Sequence, residues 1–306
     1  MKLTRNQNFV YVICASPADH FAEMAAVSMA SLRLVHPNAS IVAVMDDATF
    51  AGDTPGISAI RDVAQCVVPE TNGFGTPLLK SRYLKTNLRR IIEGDFVFLD
   101  SDTIILRPLN AIWETAADIA AAPDLDEEGR PYSMTEVQRE LFTQLDWAPF
   151  RGHFLNAGVF LMRDNDATRS LADALAQDWR HFVETTGKPN DQLAFNHVLF
   201  RTARSTMLPT RFNAQIRMNP LVARGAHIAH IFSGRFDELN DTVLHVLSKR
   251  LKVEGHFDTD LLRDAIAAGH VWTELDSMKK CLATGQPWKV AGLVVRKIAG
   301  RAPRQG

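Results

Sequence analysis

Asp100 and Asp102 stand one serine apart, directly after the apolar run Phe96-Val97-Phe98-Leu99. A short continuous apolar run of this kind reads as a strand buried on both faces of a parallel sheet. The two carboxylates then fall where the strand emerges at its carboxyl end, the edge at which open α/β sheets bind ligands. Residues two apart on extended backbone point the same way, so both can address one site. Adjacent anions without a local cationic partner are costly unless a cation neutralises them. The next cation along the chain, Arg107, lies beyond a second apolar run, Thr103-Ile104-Ile105-Leu106. The chemistry this predicts is the binding of a divalent metal ion. The plainer alternative is an Asp-rich turn that caps a strand.

Other polar groups sit inside or at the ends of apolar runs. Asn156-Ala157-Gly158-Val159 puts an amide and a glycine in a strand-like segment, and glycine there lets a ligand approach the backbone closely. Asn190-Asp191-Gln192 opens a helix-like run that contains Asn196; Asn and Asp are also favoured N-caps. His230 lies within Ile228-Ala229-His230-Ile231-Phe232, where a lone histidine also reads as a satisfied core residue.

The elements that must position these groups alternate strand and helix. Phe9–Cys14 and Ile41–Met45 read as buried strands, Cys66–Val68 as a short third, and Phe21–Val35 as a helix between the first two. A basic helix over Leu78–Ile92 leads into the Asp100 strand. Such βαβ alternation implies a parallel sheet with right-handed crossovers. After Ile119–Ala122 the chain turns acidic at Asp124–Arg130, and Ser133 with Glu136 offers a capping box for a helix through about Leu145. An excursion of this length between strands reads either as a lid or acceptor loop or as a solvated insertion. Leu155–Met162 returns to strand character, Ser170–Val183 is helical, and the chain from about Asp241 is helical.

Composition narrows the function classes. At 306 residues with 46% hydrophobic and 23% charged, the chain is an ordinary globular protein of one large or two modest domains. A net charge of −1 argues against a nucleic-acid binder. Three scattered cysteines, Cys14, Cys66 and Cys281, fit a reducing cytosol rather than a disulfide framework or a zinc site. The N-terminus has no apolar signal core and no run reaches the length of a spanning helix. The expected location is the cytosol, or the cytosolic face of a membrane. The last stretch, Lys289–Gly306, carries Lys289, Arg296, Lys297, Arg301 and Arg304 without an acid, with Val290, Leu293, Val294, Val295 and Ile298 between them. Such a tail predicts weak peripheral contact with anionic lipid; a solvated basic tail is the alternative.

Taken in order from Phe9 to Gly234, these segments resemble glycosyltransferase family 8, the retaining enzymes that include glycogenin and bacterial lipopolysaccharide galactosyltransferases. Ala15-Ser16 is similar to that family's nucleotide-binding start, Arg82 to its donor-reaching helix arginine, and Asp100-Ser101-Asp102 to its metal-binding Asp-x-Asp. Asp124, with Asn156-Ala157-Gly158, resembles the sugar-pocket segments. Asp191-Gln192 with Asn196 resembles Asp-Gln-x-x-x-Asn, and Leu208-Pro209 with Phe212-Asn213 a downstream Leu-Pro…Asn feature. The family's metal histidine matches His230, with His227 as the rival. Three residues apart on a strand, the two face opposite sides, and the Ser233-Gly234 loop favours His230. The family follows this histidine with an aromatic residue, one residue, a glycine and Lys-Pro-Trp; here His230-Ile231-Phe232-Ser233-Gly234-Arg235-Phe236 has one extra residue and lacks Lys-Pro-Trp, and Arg235 is expected to substitute for the lysine.

The resemblance implies an α/β fold of GT-A type, a Rossmann-like, mostly parallel sheet flanked by helices, over residues 1–240, with a helical extension over 241–306. It implies transfer of a hexose from a nucleotide-diphosphate sugar, UDP-glucose or UDP-galactose, to a hydroxyl of a glycan or lipid-linked acceptor, with retention of configuration. Mn²⁺ or Mg²⁺ on Asp100, Asp102 and His230 would be the cofactor. Ala15, Ser16, Arg82, Ser101, Asn156, Ala157, Gly158, Gly234 and Arg235 would hold the donor, and Asp124, Asp191 and Gln192 would serve the sugar and the transition state. A sugar-nucleotide pyrophosphorylase is the second reading, although Ala15-Ser16-Pro17-Ala18-Asp19 lacks the glycine-rich basic loop it needs. A non-catalytic nucleotide-sugar binding module is the third.

Overall fold

The structure is a computed structural model that describes residues 7–71, 73–201, 204–232 and 241–299, with side chains to residue 295. The first half runs Gln7–Ile13 (β1), Phe21–Val35 (α1), Ser40–Met45 (β2), Asp47–Ala51 (α2), Pro55–Val63 (α3), Gln65–Val67 (β3), Pro77–Thr86 (α4), Leu88–Ile91 (α5), Asp95–Leu99 (β4), Thr103–Ile105 (β5), Asn110–Trp113 (α6) and Ile119–Pro123 (β6). The second half runs Glu136–Gln144 (α7), Leu155–Met162 (β7), Asp166–Thr186 (α8), Gln192–Leu199 (α9), Ser205–Met207 (β8), Ala214–Gln215 (β9), Ile228–His230 (β10), Val243–Glu254 (α10), Asp260–Ala268 (α11), Met278–Ala283 (α12) and Trp288–Ala299 (α13).

Seven strands form one sheet in the order β3-β2-β1-β4-β7-β6-β8. β7 runs antiparallel to β4 and β6, and the other pairs are parallel. This is the expected mostly parallel α/β sheet. Helices cover both faces, so the central strands must be apolar on both sides. Along β1, Phe9, Tyr11 and Ile13 pack toward α1 and α3, while Val10 packs with Phe96, Phe98 and Leu84 on the other face. A second, small sheet, β5-β10-β9, stands beside the carboxyl ends of the large one. β5 and β10 are antiparallel, with His230 opposite Thr103.

Two expectations need correcting. The basic helix over Leu78–Ile92 is interrupted at Asn87, whose backbone N–H and side-chain amide both donate to Tyr83 O, at 3.2 and 2.8 Å. That closes α4 and lets α5 start at a new angle. The capping box of α7 is formed by Thr135 and Gln138 rather than by Ser133 and Glu136. The described residues from 241 to 299 are mostly helical, in α10 to α13, as expected. Leu244 and Leu247 of α10 bury against Met24 and Val27 of α1, so α10 packs on the face of α1 turned away from the large sheet. No helix among the described residues is long and apolar enough to cross a membrane.

Candidate active site

Asp100, Ser101 and Asp102 form the turn between β4 and β5, closed by Thr103 Oγ1 donating to Asp100 O at 2.8 Å. The backbone is therefore not extended there, yet both carboxylates still converge, because β10 pairs with β5 and brings His230 between them. His230 Nε2 lies 3.1 Å from Asp102 Oδ1 and 3.9 Å from Asp100 Oδ2. One ligand atom from each of the three residues falls within 4.8 Å of the others. His227 is turned away, its Nδ1 2.6 Å from Pro108 O.

The imidazole is fixed by what lies behind it. His230 Nδ1 is 2.8 Å from Asn213 Oδ1. Asn213 Nδ2 donates to Asn156 Oδ1 at 2.8 Å, which leaves Asn213 Oδ1 as an acceptor and puts a proton on His230 Nδ1. Nε2 is then the nitrogen that faces the carboxylates, donating to Asp102 when protonated and available to a metal when neutral. Two hard oxygens and one imidazole nitrogen suit Mn²⁺ or Mg²⁺ rather than a thiolate-seeking metal. Burial alone would lower the His230 pKa, but the Asp102 and Asp100 carboxylates outweigh it and raise it. Burial raises Asp100 despite Lys85.

The amide chain continues across β7. Asn156 Oδ1 also accepts from Gly158 N at 2.8 Å, and Asn156 Nδ2 donates to Asp124 Oδ1 at 3.0 Å. Asp124 Oδ2 accepts from Tyr132 Oη at 2.7 Å and from Gln192 Nε2 at 2.8 Å. Burial, with the Asp124 carboxylate beside it, raises the Tyr132 phenol, which stays protonated to donate. Gln192 Oε1 accepts from Ala157 N at 3.2 Å. Gly158 is required by space: a Cβ would lie 2.4 Å from His230 Cε1 and 2.8 Å from Asp100 Oδ2.

A cationic pair lies on the other side of Asp100. Arg82 and Lys85, one turn apart on α4, share Asp191 at 3.3 and 3.1 Å, and Lys85 Nζ also reaches Asp100 Oδ1 at 3.2 Å. Burial would raise the Asp191 pKa, but Arg82 and Lys85 outweigh it and hold the carboxyl below its usual range. Asp191 Coulombically raises Arg82 in turn. Asp191 precedes α9 but makes no side-chain cap; the capping expected of this segment is done by Asn190, whose Oδ1 accepts from Gln192 N at 2.8 Å. Lys85 corrects the expectation that the aspartate pair has no cation near it. Its i,i+3 spacing puts it on the same face of α4 as Arg82, but that spacing does not say which strand end the face meets. Asn213 and Tyr132 are further members of the site that were not singled out for it. Asn196 is structural: its amide exchanges hydrogen bonds with Leu155 N and O at 2.7 and 2.8 Å, tying α9 to β7.

Two cavities flank this cluster. One of about 530 Å³ is lined by Asp124, Tyr132, Asn156, Gln192, Met218 and Phe232 among others. A narrower one of about 140 Å³ runs between the end of β1 and α4, past Cys14, Phe21, Leu78 and Arg82 to Asp100, Ser101 and Asp102. Ala15 and Ser16 follow β1 nearby. Ala15 N donates to Thr49 Oγ1 at 2.8 Å, and Ser16 gives both N–H and hydroxyl to Asp19 at 2.7 and 2.9 Å. Gly234 and Arg235 lie outside the described residues.

A family model for nucleotide-diphospho-sugar transferases matches residues 86–261, more than half of the chain. No curated protein matches the sequence. Among solved structures, the glycosyltransferase GlyE of Streptococcus pneumoniae TIGR4 aligns with a TM-score of 0.51 at 17% identity, over 88% of this chain and 65% of that one. The galactosyltransferase LgtC, in complex with donor and acceptor sugar analogues, aligns with a TM-score of 0.49 at 16% identity, over 74% and 87%. Mouse xyloside xylosyltransferase 1 gives 0.48 at 15%, over 74% and 97%. At such identities the GlyE likeness is one of fold. The matched residues 86–261 contain Asp100, Asp102, Asp124, Asn156, Asp191, Gln192 and His230, and the chain belongs to the nucleotide-diphospho-sugar transferase family, the kind of transferase that the family 8 resemblance implies.

Proposed function

We propose that the protein is a metal-dependent, retaining hexosyltransferase that moves a hexose from UDP-glucose or UDP-galactose to a hydroxyl of a glycan or lipid-linked acceptor. The observation that carries this reading is one continuous polar network. It runs from the Asp100–Asp102–His230 triad through Asn213 and Asn156 to Asp124 and Gln192 in the larger cavity. Mn²⁺ or Mg²⁺ on the triad would supply Lewis-acid charge to the departing diphosphate. The protein's own groups do the rest. Asp100, Asp102 and Asp191 set three negative charges against Arg82 and Lys85, so the site favours a bound cation and keeps Arg82 available to a phosphate or sugar oxygen.

Asp124 and Gln192 each have their polar atoms committed to neighbours. Held that way, they present fixed dipoles to sugar hydroxyls without reorganising as charge develops at the anomeric carbon. Asp191, kept ionised by its two cations, adds negative potential on the same side. We assign donor contacts to the Ala15-Ser16 loop, Ser101, Ala157 and Gly158, and treat residues 1–240 as the transferase domain. The extension over 241–306 ends in α13, where Trp288 and Val295, seven residues apart on one helical face, are both exposed beside Lys289. An apolar stripe with cations suits the surface of an anionic bilayer, where a lipid-linked acceptor would sit.

The test is release of free nucleoside diphosphate from a panel of UDP- and GDP-sugars with Mn²⁺, with the anomeric configuration of the product read by NMR. Asp102→Asn should abolish turnover with the circular dichroism spectrum unchanged. Full activity in EDTA would refute the metal requirement.

A further inference from the structure

Phe232 has a backbone conformation that its residue type does not favour. Its φ is +53°, in the left-handed region that glycine and asparagine enter readily and bulky side chains rarely do. Such a conformation persists only where the surrounding structure holds it. The ring stacks on the His230 imidazole, with centroids 4.3 Å apart and planes 29° apart. It also forms part of the wall of the cavity of about 530 Å³ that contains Asp124, Tyr132 and Gln192. Phe232 thus spans the boundary between the carboxylate–imidazole triad and the sugar-sized space. Its neighbours toward the triad, Asn156 and Gln192, are polar and hydrogen-bonded in place.

We propose that Phe232 is a positioning residue that decides whether the glycosyl group passes to an acceptor or to water. The inference rests on the hexosyl-transfer reading above. In either outcome the bond from the anomeric carbon to the diphosphate oxygen breaks and the electron pair leaves with the diphosphate. A new bond forms to the oxygen of an acceptor hydroxyl or of water, and the proton of that oxygen goes to the leaving phosphate or to solvent. Only the nucleophile differs. An aromatic wall beside the breaking bond excludes water from the reacting carbon, a recognised way of suppressing side reactions, while an acceptor large enough to fill the cavity is still admitted.

The experiment compares wild type, F232G and F232W with UDP-glucose and UDP-galactose, Mn²⁺ and no acceptor, measuring free hexose, Mn²⁺ affinity and melting temperature. Glycine removes the ring and at the same time suits the left-handed backbone, so F232G is expected to melt no lower than wild type and to bind Mn²⁺ equally well. Its donor hydrolysis should be about threefold faster or more, because water gains access. F232W, which keeps an aromatic wall, should hydrolyse at the wild-type rate. A ring with a merely structural role would lower stability and turnover together. Hydrolysis by F232G at or below the wild-type rate, with wild type active, would overturn the assignment of Phe232 alone. Failure of the wild type to cleave any of the donors would overturn the hexosyl-transfer reading and this inference with it.

Discussion

Gly158→Ala is the smallest change that should take the site apart. The glycine lies in β7 with ordinary strand backbone, so alanine meets no conformational obstacle and the effect is steric. Its methyl would sit 2.4 Å from His230 Cε1 and 2.8 Å from both Asn156 Oδ1 and Asp100 Oδ2, about 1 Å inside carbon–carbon contact distance. None of the three neighbours is free to swing. His230 is buried and bonded to Asn213, Asn156 makes three hydrogen bonds, and Asp100 is held by Lys85. Overpacking of this kind typically costs about 1–3 kcal/mol. At about 2–4 °C per kcal/mol for a chain of this class, the melting temperature should fall by roughly 2–12 °C. A second effect follows from geometry, since the methyl forces His230 and Asp100 apart. Wild type with Mn²⁺ at a hundred times its Kd should gain about 2.7 kcal/mol, and Gly158→Ala should lose most of that gain. Differential scanning calorimetry with and without Mn²⁺ measures both. A wild-type melting temperature together with a full Mn²⁺ shift would refute the steric account and the assignment of the ligands.

Other perturbations separate the roles of neighbouring groups. His230→Ala should abolish Mn²⁺ binding measured by electron paramagnetic resonance, whereas His227→Ala should leave it intact because His227 is engaged by Pro108 O. Asn213→Ala removes the acceptor that fixes the imidazole tautomer and should weaken Mn²⁺ binding by about 10–100-fold in the same titration. Asp191 has its pKa held below 3.8 by Arg82 and Lys85 against the effect of burial. Its pairing therefore contributes stability that is present above about pH 4 and is lost as pH falls through the folded value. Urea unfolding of Asp191→Asn should show a deficit of about 3–5 kcal/mol at pH 7 that narrows in acid; a deficit independent of pH would sink the ion-pair account. Removal of residues from Lys289 onward should abolish low-salt co-sedimentation with anionic liposomes and leave donor hydrolysis unchanged.

Much of the site was legible because the residues that carry it sit at the ends of recognisable strands. Phe96–Leu99 announces β4 by its unbroken apolar character, and the aspartates follow from that. His230 was separable from His227 by strand alternation and by the loop after it. Lys85 was not legible, because its approach to Asp100 depends on how α4 docks over β4, and nothing local to either segment encodes that docking. The break at Asn87 was hidden for a related reason: an asparagine inside a basic helical pattern is tolerable by propensity, and only its bonds to Tyr83 O show that it ends the helix. The shift of the capping box from Ser133 to Thr135 comes from the isolated bridge between Ser133 and His153, which draws Ser133 into an extended pairing before the helix can begin.

The small sheet joins β5 to β10, segments roughly 125 residues apart along the chain. During ribosomal synthesis at about 5–20 residues per second, Asp100 and Asp102 are exposed for on the order of ten seconds before His230 exists to meet them. During that interval β6, β7 and β8 join the large sheet, and Asp100 already has Lys85 as a counter-charge. Closing so long a loop carries an entropic cost that grows slowly with length, so the delay, rather than the closure itself, dominates. The nascent chain therefore passes through a stage with a largely assembled scaffold and an incomplete site. The ability to cleave a donor switches on late, in one step, when the second half of the chain returns to the first.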